Sequence, residues 1–328
     1  MKIASHLPNI GLSQFYQLPF NVRLTKGSPH ALLRLYLYFL GMFYFILQRK
    51  DRIKIVKCLN FVLRYRLTFS HFCRNVIQTF CGIFEHYLEK LLMGHRNFAE
   101  MQKFLGSRLT VQNRHVLDQA AAQGRGGILV TGHFGAVEYL PLALALNGYK
   151  IAMIVKFKTD ALRRQLMKRA AELDIILIDA EQEKVAFKAL DAIKQGRLLI
   201  TECDEFSKWI RHKSEKVSVF GNIVSRDKTL DFFYRRAKVP AMLGLMKRRN
   251  GGFVLSITSL ANGCEKVSLS KRAWDCLEEH ILAEPYQWYQ WKDAAVELAP
   301  FIADRKTNED KQTQGVPARD PVFIGGQS

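Results

Sequence analysis

In the stretch TGHFGAVE, Thr131 to Glu138, a histidine sits between two glycines and a glutamate follows five residues later. Histidine exchanges a proton near neutral pH, and a carboxylate can hold its ring in one tautomer. His133 and Glu138 are therefore candidates for a general-base pair acting on a hydroxyl. On one continuous helix a spacing of five would point them apart. With His133 in a turn before the helix and Glu138 in its first turn or two, the side chains converge. The N–H groups at that helix start can also face a developing oxyanion. The competing reading is a histidine that closes the turn and a glutamate that faces water.

The elements around the pair favour the chemical reading. GGILVTG is a short run rich in branched residues and bounded by glycines, which predicts a strand. GAVEYLPLALAL after it reads as a helix. KIAMIVKF, IILIDA, RLLITECD, AMLGLMKR and FVLSITSL read as further strands. TDALRRQLMKRAAEL, AEQEKVAFKALDAIKQG (ending at Gly196, a normal helix stop) and KTLDFFYRRAK read as helices. Alternation of this kind predicts an α/β fold with a mostly parallel central sheet flanked by helices. His133 then lies past the C-terminal end of a strand, where open α/β sheets concentrate their sites. Gly132 and Gly135 permit a sharp turn and close approach of another molecule.

The N-terminal third has another texture. ALLRLYLYFLGMFYFILQ, residues 31–48, is the most apolar segment, and Arg49, Lys50, Arg52, Lys54 and Lys57 follow it. A crossing helix needs about 20 apolar residues, so the segment is marginal in length. Its aromatic content and basic flank suit an anchor with the main body in the cytoplasm. A buried or interfacial helix is the alternative. Residues 53–105 read as helices with mixed apolar and basic faces. The formal charge of +19 favours a polyanionic partner: nucleic acid, anionic membrane, or an acidic protein or substrate. The six cysteines form no CxxC pair and no zinc spacing. The polar stretch 304–328 is expected to be disordered.

TGHFGAVE resembles the GHFGNWE-type signature of bacterial lipid A biosynthesis acyltransferases, the lauroyl and myristoyl transferases of the lysophospholipid acyltransferase superfamily. The likeness continues in order over residues 30–295. It takes in GRGGILVTGHFGAVE, the basic helix RRQLMKRAAEL, KALDAIKQGRLLITECDEF, VSVFGN, KVPAMLGLMKR and EPYQWYQWKD. Three departures bear on the acceptor: Ala136-Val137 replace Asn-Trp, Glu-Cys-Asp replaces Pro-Asp-Gln, and the final motif lacks its trailing arginines.

The resemblance implies an enzyme, an O-acyltransferase of glycerolipid-acyltransferase-like fold with an N-terminal membrane-anchoring helix. It divides the chain into a polar segment 1–30, an anchor 31–48, a basic helical region 49–120, an α/β domain 121–303 and a tail 304–328. It implies a donor thioester on acyl carrier protein or coenzyme A. The acceptor would be an anionic lipid A precursor or related glycolipid, at the cytoplasmic face of the bacterial inner membrane. His133 is the implied base and Glu138 its orienting acid. Among Arg163, Arg164, Lys168 and Arg169, the residues Arg164 and especially Arg169 are candidates for an acceptor phosphate or the phosphopantetheine. A solvated basic face is the plainer reading of these. Asp204 is implied to help organise the site, or else caps a turn. No metal or redox cofactor is implied.

Three rivals remain. One is an acyltransferase of another lipid: a lysophospholipid, an ornithine lipid or a phosphatidylinositol mannoside. The second is an esterase or thioesterase, although no GxSxG elbow occurs. The third is a basic membrane-bound nucleic-acid binder, although no nucleic-acid-binding signature is visible and none is expected.

Overall fold

The computed structural model describes residues 11–64, 66–157 and 160–305. Six helices come first: α1 Leu12–Tyr16, α2 Pro19–Gly27, α3 His30–Leu47, α4 Arg49–Leu63, α5 Phe69–His95 and α6 Phe98–Gly106. Then follow β1 Leu109–Gln112, α7 Arg114–Ala122, β2 Gly127–Thr131, α8 Leu140–Leu146, β3 Ile151–Val155, α9 Asp160–Glu172, β4 Ile175–Asp179, α10 Val185–Lys194 and β5 Leu198–Glu202. The chain continues through β6 Arg211–Val219, β7 Asn222–Asp227, α11 Thr229–Ala237, β8 Ala241–Arg249, β9 Gly252–Ala261, α12 Leu269–Ala283 and α13 Trp291–Glu297. Of the expected tail, only Asp304 and Arg305 fall within the described residues, and they close a helical stretch at 299–305.

Seven strands form one sheet in the order β1-β9-β8-β2-β5-β3-β4, and β6 and β7 pair separately as an antiparallel hairpin. Only the β8–β9 pairing of the large sheet is antiparallel. The expected mostly parallel α/β sheet with flanking helices is what forms. Strand β2 is buried at every residue, as a central parallel strand covered on both faces must be. Its unbroken GILVT run is the sequence form of that burial.

Helix α5 ties the N-terminal helices to the sheet. On its inner side Glu89 accepts two hydrogen bonds from the Arg248 guanidinium of β8, both 2.7 Å. Burial pushes the Glu89 carboxyl up to about 7, with Arg248 opposing the rise. Removing one partner of such a pair would strand a buried charge, at a cost of roughly 3–5 kcal/mol. The expected apolar segment coincides with α3, which packs one face on α5 through Leu33, Leu37, Gly41, Tyr44 and Phe45. Strand β1 lies ahead of residue 121 and pairs with β9, so the sheet begins within the region read as helical. The four-residue LTVQ is too short for a periodic signal.

Candidate active site

The register of two parallel strands assembles the site. Thr131 of β2 pairs with Glu202 of β5, so two residues further on His133 meets Asp204. The Asp204 carboxylate is fully buried and accepts three hydrogen bonds. They come from the His133 backbone N–H (2.7 Å), the His133 ring Nδ1–H (2.8 Å) and the Trp288 indole N–H (2.7 Å). A carboxylate can only accept, so in the neutral form of the ring this geometry keeps the proton on Nδ1 and leaves the Nε2 lone pair outward. Trp288 is itself locked among Phe206, Phe220, Trp274 and Trp291. The acid is therefore held by core packing.

The turn after His133 is built by close backbone approach. Gly135 has φ +60°, and a Cβ there would strike the Met246 carbonyl oxygen. In this conformation its N–H reaches the Gln287 carbonyl at 2.8 Å, and the Ala136 N–H reaches that of Met246 at 2.7 Å. The N–H of Tyr289 in turn reaches the His133 carbonyl at 3.2 Å. The segment between β2 and α8 is thus clamped between β8 and the Pro285–Tyr289 stretch.

Glu138 sits in a 3₁₀ turn, Val137–Tyr139, just before α8. Its carboxylate lies 3.3 Å from Lys90 Nζ and 3.6 Å from His86 Nε2, both on α5. Tyr289 stands between the two groups. His86 stacks on its ring with centroids 3.6 Å apart, and the His133 ring meets it edge-on at 4.9 Å. The ring-orienting contact expected from Glu138 is made by Asp204, because the parallel register brings β5 to His133 while the 3₁₀ turn swings Glu138 toward α5. Glu138 raises the Lys90 pKa as the largest influence on it. Burial keeps His86 well below the usual histidine range.

Burial opposes charge on the His133 ring as well, but Glu202, Asp204 and Glu205 outweigh it and hold the imidazole well above its ordinary value. Glu202 faces Nε2 at 3.5 Å. Its carboxyl is itself pushed up by burial, with His133 opposing. Among the described residues, His133, Glu202 and Glu205 bring possible ligand atoms within 4.8 Å of one another, a group that could close on a cation. That would occupy the same Nε2 lone pair a base needs.

The other basic candidates are placed elsewhere. Arg169 donates to the Met93 and Arg96 carbonyls and lies over Phe98, which joins α9 to the α5–α6 turn. Arg163 pairs with Asp179 at 3.2 Å. Arg164 is exposed on α9. A cation that lines the His133 cavity and pairs with Glu138 is Lys90, which the sequence reading did not single out. Its signal was the His86, Glu89 and Lys90 spacing on one helix face.

Two cavities meet here. One, about 330 Å³, is lined by His133, His86, Tyr289, Lys90 and the α3–α4 residues Tyr44 and Asp51. The other, about 260 Å³, is walled mainly by apolar side chains such as Leu142, Met153, Leu173 and Leu177, with Glu138 and Arg169 on its border. Ser13, Tyr87 and Lys90 line both. No curated protein matches this chain in a whole-sequence comparison. Residues 83–292 match the family model for bacterial lipid A biosynthesis acyltransferases, and that span holds β2, β5, the second half of α5 with His86 and Lys90, and His133, Glu138, Glu202, Asp204 and Tyr289. With well over half of its length matched, the chain belongs to the bacterial lipid A biosynthesis acyltransferase family.

Proposed function

We propose that this protein transfers a fatty acyl chain from an acyl thioester, acyl carrier protein before coenzyme A, to a hydroxyl of a lipid A precursor. It would do so at the cytoplasmic face of the inner membrane. The observation that carries this reading is the Asp204-held His133 ring lining a cavity that shares Ser13, Tyr87 and Lys90 with an apolar one. His133 Nε2 takes the hydroxyl proton. The oxygen attacks the thioester carbonyl, and the tetrahedral intermediate expels the thiolate, which takes the proton back from the imidazolium. The products are an ester and a free thiol. No acyl-enzyme is needed. The net charge of +19 attracts both an acidic carrier and an anionic acceptor.

Glu138 has an electrostatic part in this reading. It keeps Lys90 charged where both cavities meet, and Lys90 serves the developing oxyanion or an acceptor phosphate. Glu138→Gln is expected to lower kcat by roughly 10²-fold, the size of one lost electrostatic contact to a transition state. Steady-state rates alongside an unchanged melting temperature check this. Native activity in that variant would remove Glu138 from the machinery.

The apolar cavity would take the acyl chain. Narrowing it with Leu173→Trp is expected to shift transfer toward shorter chains. The kcat/KM for the longest accepted chain should fall about tenfold or more, at about 0.8 kcal/mol per excluded methylene. A series of acyl thioesters of rising length reads this out.

The whole reading is tested by mass spectrometry of lipid acceptors incubated with donor and protein. Gain of one acyl chain by a lipid A precursor supports it. Gain by a lysophospholipid or ornithine lipid keeps the transferase and moves the acceptor. Release of free fatty acid alone makes the protein a hydrolase.

A further inference from the structure

Helix α3 is apolar all round in sequence, yet the fold gives it two different faces. Leu33, Leu37, Gly41, Tyr44 and Phe45 are buried against the body. Leu32, Leu35, Phe39, Met42, Phe43, Ile46 and Leu47 are exposed, Phe39 by 73%. At 3.6 residues per turn these seven cover about 140° of the helix circumference, opposite the buried set. Soluble surfaces seldom leave so continuous an apolar stripe uncovered.

Length alone would allow α3 to cross a bilayer. Its 18 residues span about 27 Å, against roughly 30 Å of hydrocarbon. The flanks forbid it. A crossing helix separates the chain before it from the chain after it by the full membrane. Here both flanks dock on the same body. On the N-terminal side, the Arg96 guanidinium donates to the Ser28 carbonyl at 2.7 Å and to that of Thr25 at 3.4 Å. Tyr16 stacks on Tyr87 of α5 at 5.3 Å, and its hydroxyl reaches the Leu37 carbonyl at 2.7 Å. On the C-terminal side, Asp51 of α4 pairs with Lys292 of α13 at 2.6 Å. Along the helix, Arg34 is bound to Glu85 of α5, and a Cβ at Gly41 would strike Tyr16 and Phe84. A transmembrane α3 would pull Glu85 of α5, which Arg34 and Tyr38 hold against the helix, to hydrocarbon depth, which is costly.

We infer that α3 lies in the plane of one leaflet, its exposed stripe sunk into the hydrocarbon and the body on one side of the membrane. The occupant of this face is an anionic lipid surface. Exposed Arg23 and Lys26 of α2 and Arg49, Lys50, Lys54 and Lys57 of α4 flank the stripe and match lipid phosphates. The seating rests on the reading that the enzyme works at a membrane. It deepens that reading: Tyr44 and Phe45, from the last turns of α3, line the cavity that holds His133. A lipid acceptor can then reach the base without leaving the leaflet.

The test places cysteines on the two flanks of α3 in the full chain, Gly27→Cys and Lys50→Cys. Both sites are exposed, and a Cβ at Gly27 meets open space. The exposed Cys73 and Cys264 are changed to serine. An impermeant thiol reagent is applied to inverted inner-membrane vesicles and to spheroplasts, and each peptide is read by mass spectrometry. The inference predicts that both sites react in inverted vesicles and neither in spheroplasts. Reaction of the two from opposite sides overturns it. In parallel, Phe39→Glu with Phe43→Glu should lower binding to phosphatidylethanolamine–phosphatidylglycerol vesicles more than tenfold while sparing acyl transfer to a detergent-dispersed acceptor. Unchanged vesicle binding overturns the inference, as does a native chain that stays off the vesicles. Absent acyl transfer with same-side labelling would sink the proposed reaction and leave the seating intact.

Discussion

Replacing His133 with alanine is expected to lower acyl transfer by roughly 10²–10⁴-fold, the contribution of a positioned general base. The fold should survive. The Asp204 oxygen that receives the His133 backbone N–H and the Trp288 indole N–H keeps both bonds in the variant, because neither donor is on the ring. Only the oxygen facing Nδ1 loses its partner, and a water can replace the missing ring. The measurement is kcat/KM for the acceptor lipid, with a thermal melt as the control for folding. A rate within tenfold of native, at native stability, would remove His133 from the chemistry.

Asp204→Asn should be nearly as damaging while changing almost no volume. The acid now receives three N–H groups, and an amide cannot. If the asparagine oxygen keeps the backbone and indole donors, its NH₂ faces Nδ1. The ring must then carry its proton on Nε2, where a base needs a lone pair. A wrong tautomer of this origin costs roughly 10⁴-fold in a serine-protease triad, and we expect a loss of roughly 10²–10⁴-fold here by the same reasoning. Nitrogen-15 shifts of the His133 ring would show the change directly. A variant with native activity and Nδ1 still protonated would mean Asp204 does no more than brace the turn.

Both residues were legible in the sequence, His133 as the base and Asp204, through the family resemblance, as a residue that organises the site, but not as the partner of the ring. The GILVT run between glycines announced a central strand, and that placed His133 at the sheet edge. Glu138 reads as its partner because a carboxylate can hold the ring in one tautomer and a turn followed by a helix start lets the two side chains converge. Asp204 is 71 residues away, and its partnership arises from β5 choosing β2 as a parallel neighbour. Nothing local to Glu-Cys-Asp encodes that choice. It depends on which apolar strand fills the space beside β2 once the helices have packed. The same holds for α5. Its apolar spacing marked a helix, but the direction of His86, Glu89 and Lys90 follows from the Arg248 contact and the stacking on Tyr289. Helix α3 shows a further limit. A segment apolar on nearly all sides carries little periodic signal, so the division into a packed face and an exposed face exists only in the tertiary structure. The β6–β7 hairpin was hidden for another reason. Its turn runs through Phe220 and Gly221, both at positive φ, and Phe-Gly is not among the usual hairpin turn pairs.

The ring's charge state offers the most direct test of His133 as a base held by Asp204. The surrounding acids favour the protonated imidazole, so the neutral, reactive form grows as pH rises through that raised value. The acid limb of kcat/KM, which reports the free enzyme, should therefore lie on the alkaline side of the ordinary histidine range. Asparagine at 204 removes one of those charges and a hydrogen bond to the ring. The measurement is the pH dependence of kcat/KM for the native chain and Asp204→Asn, side by side on one acceptor. The account predicts an acid limb on the alkaline side of the histidine range in the native protein that moves to lower pH in the variant, over a much reduced plateau. Superimposable profiles, or a native limb that persists unchanged in His133→Ala, would contradict it.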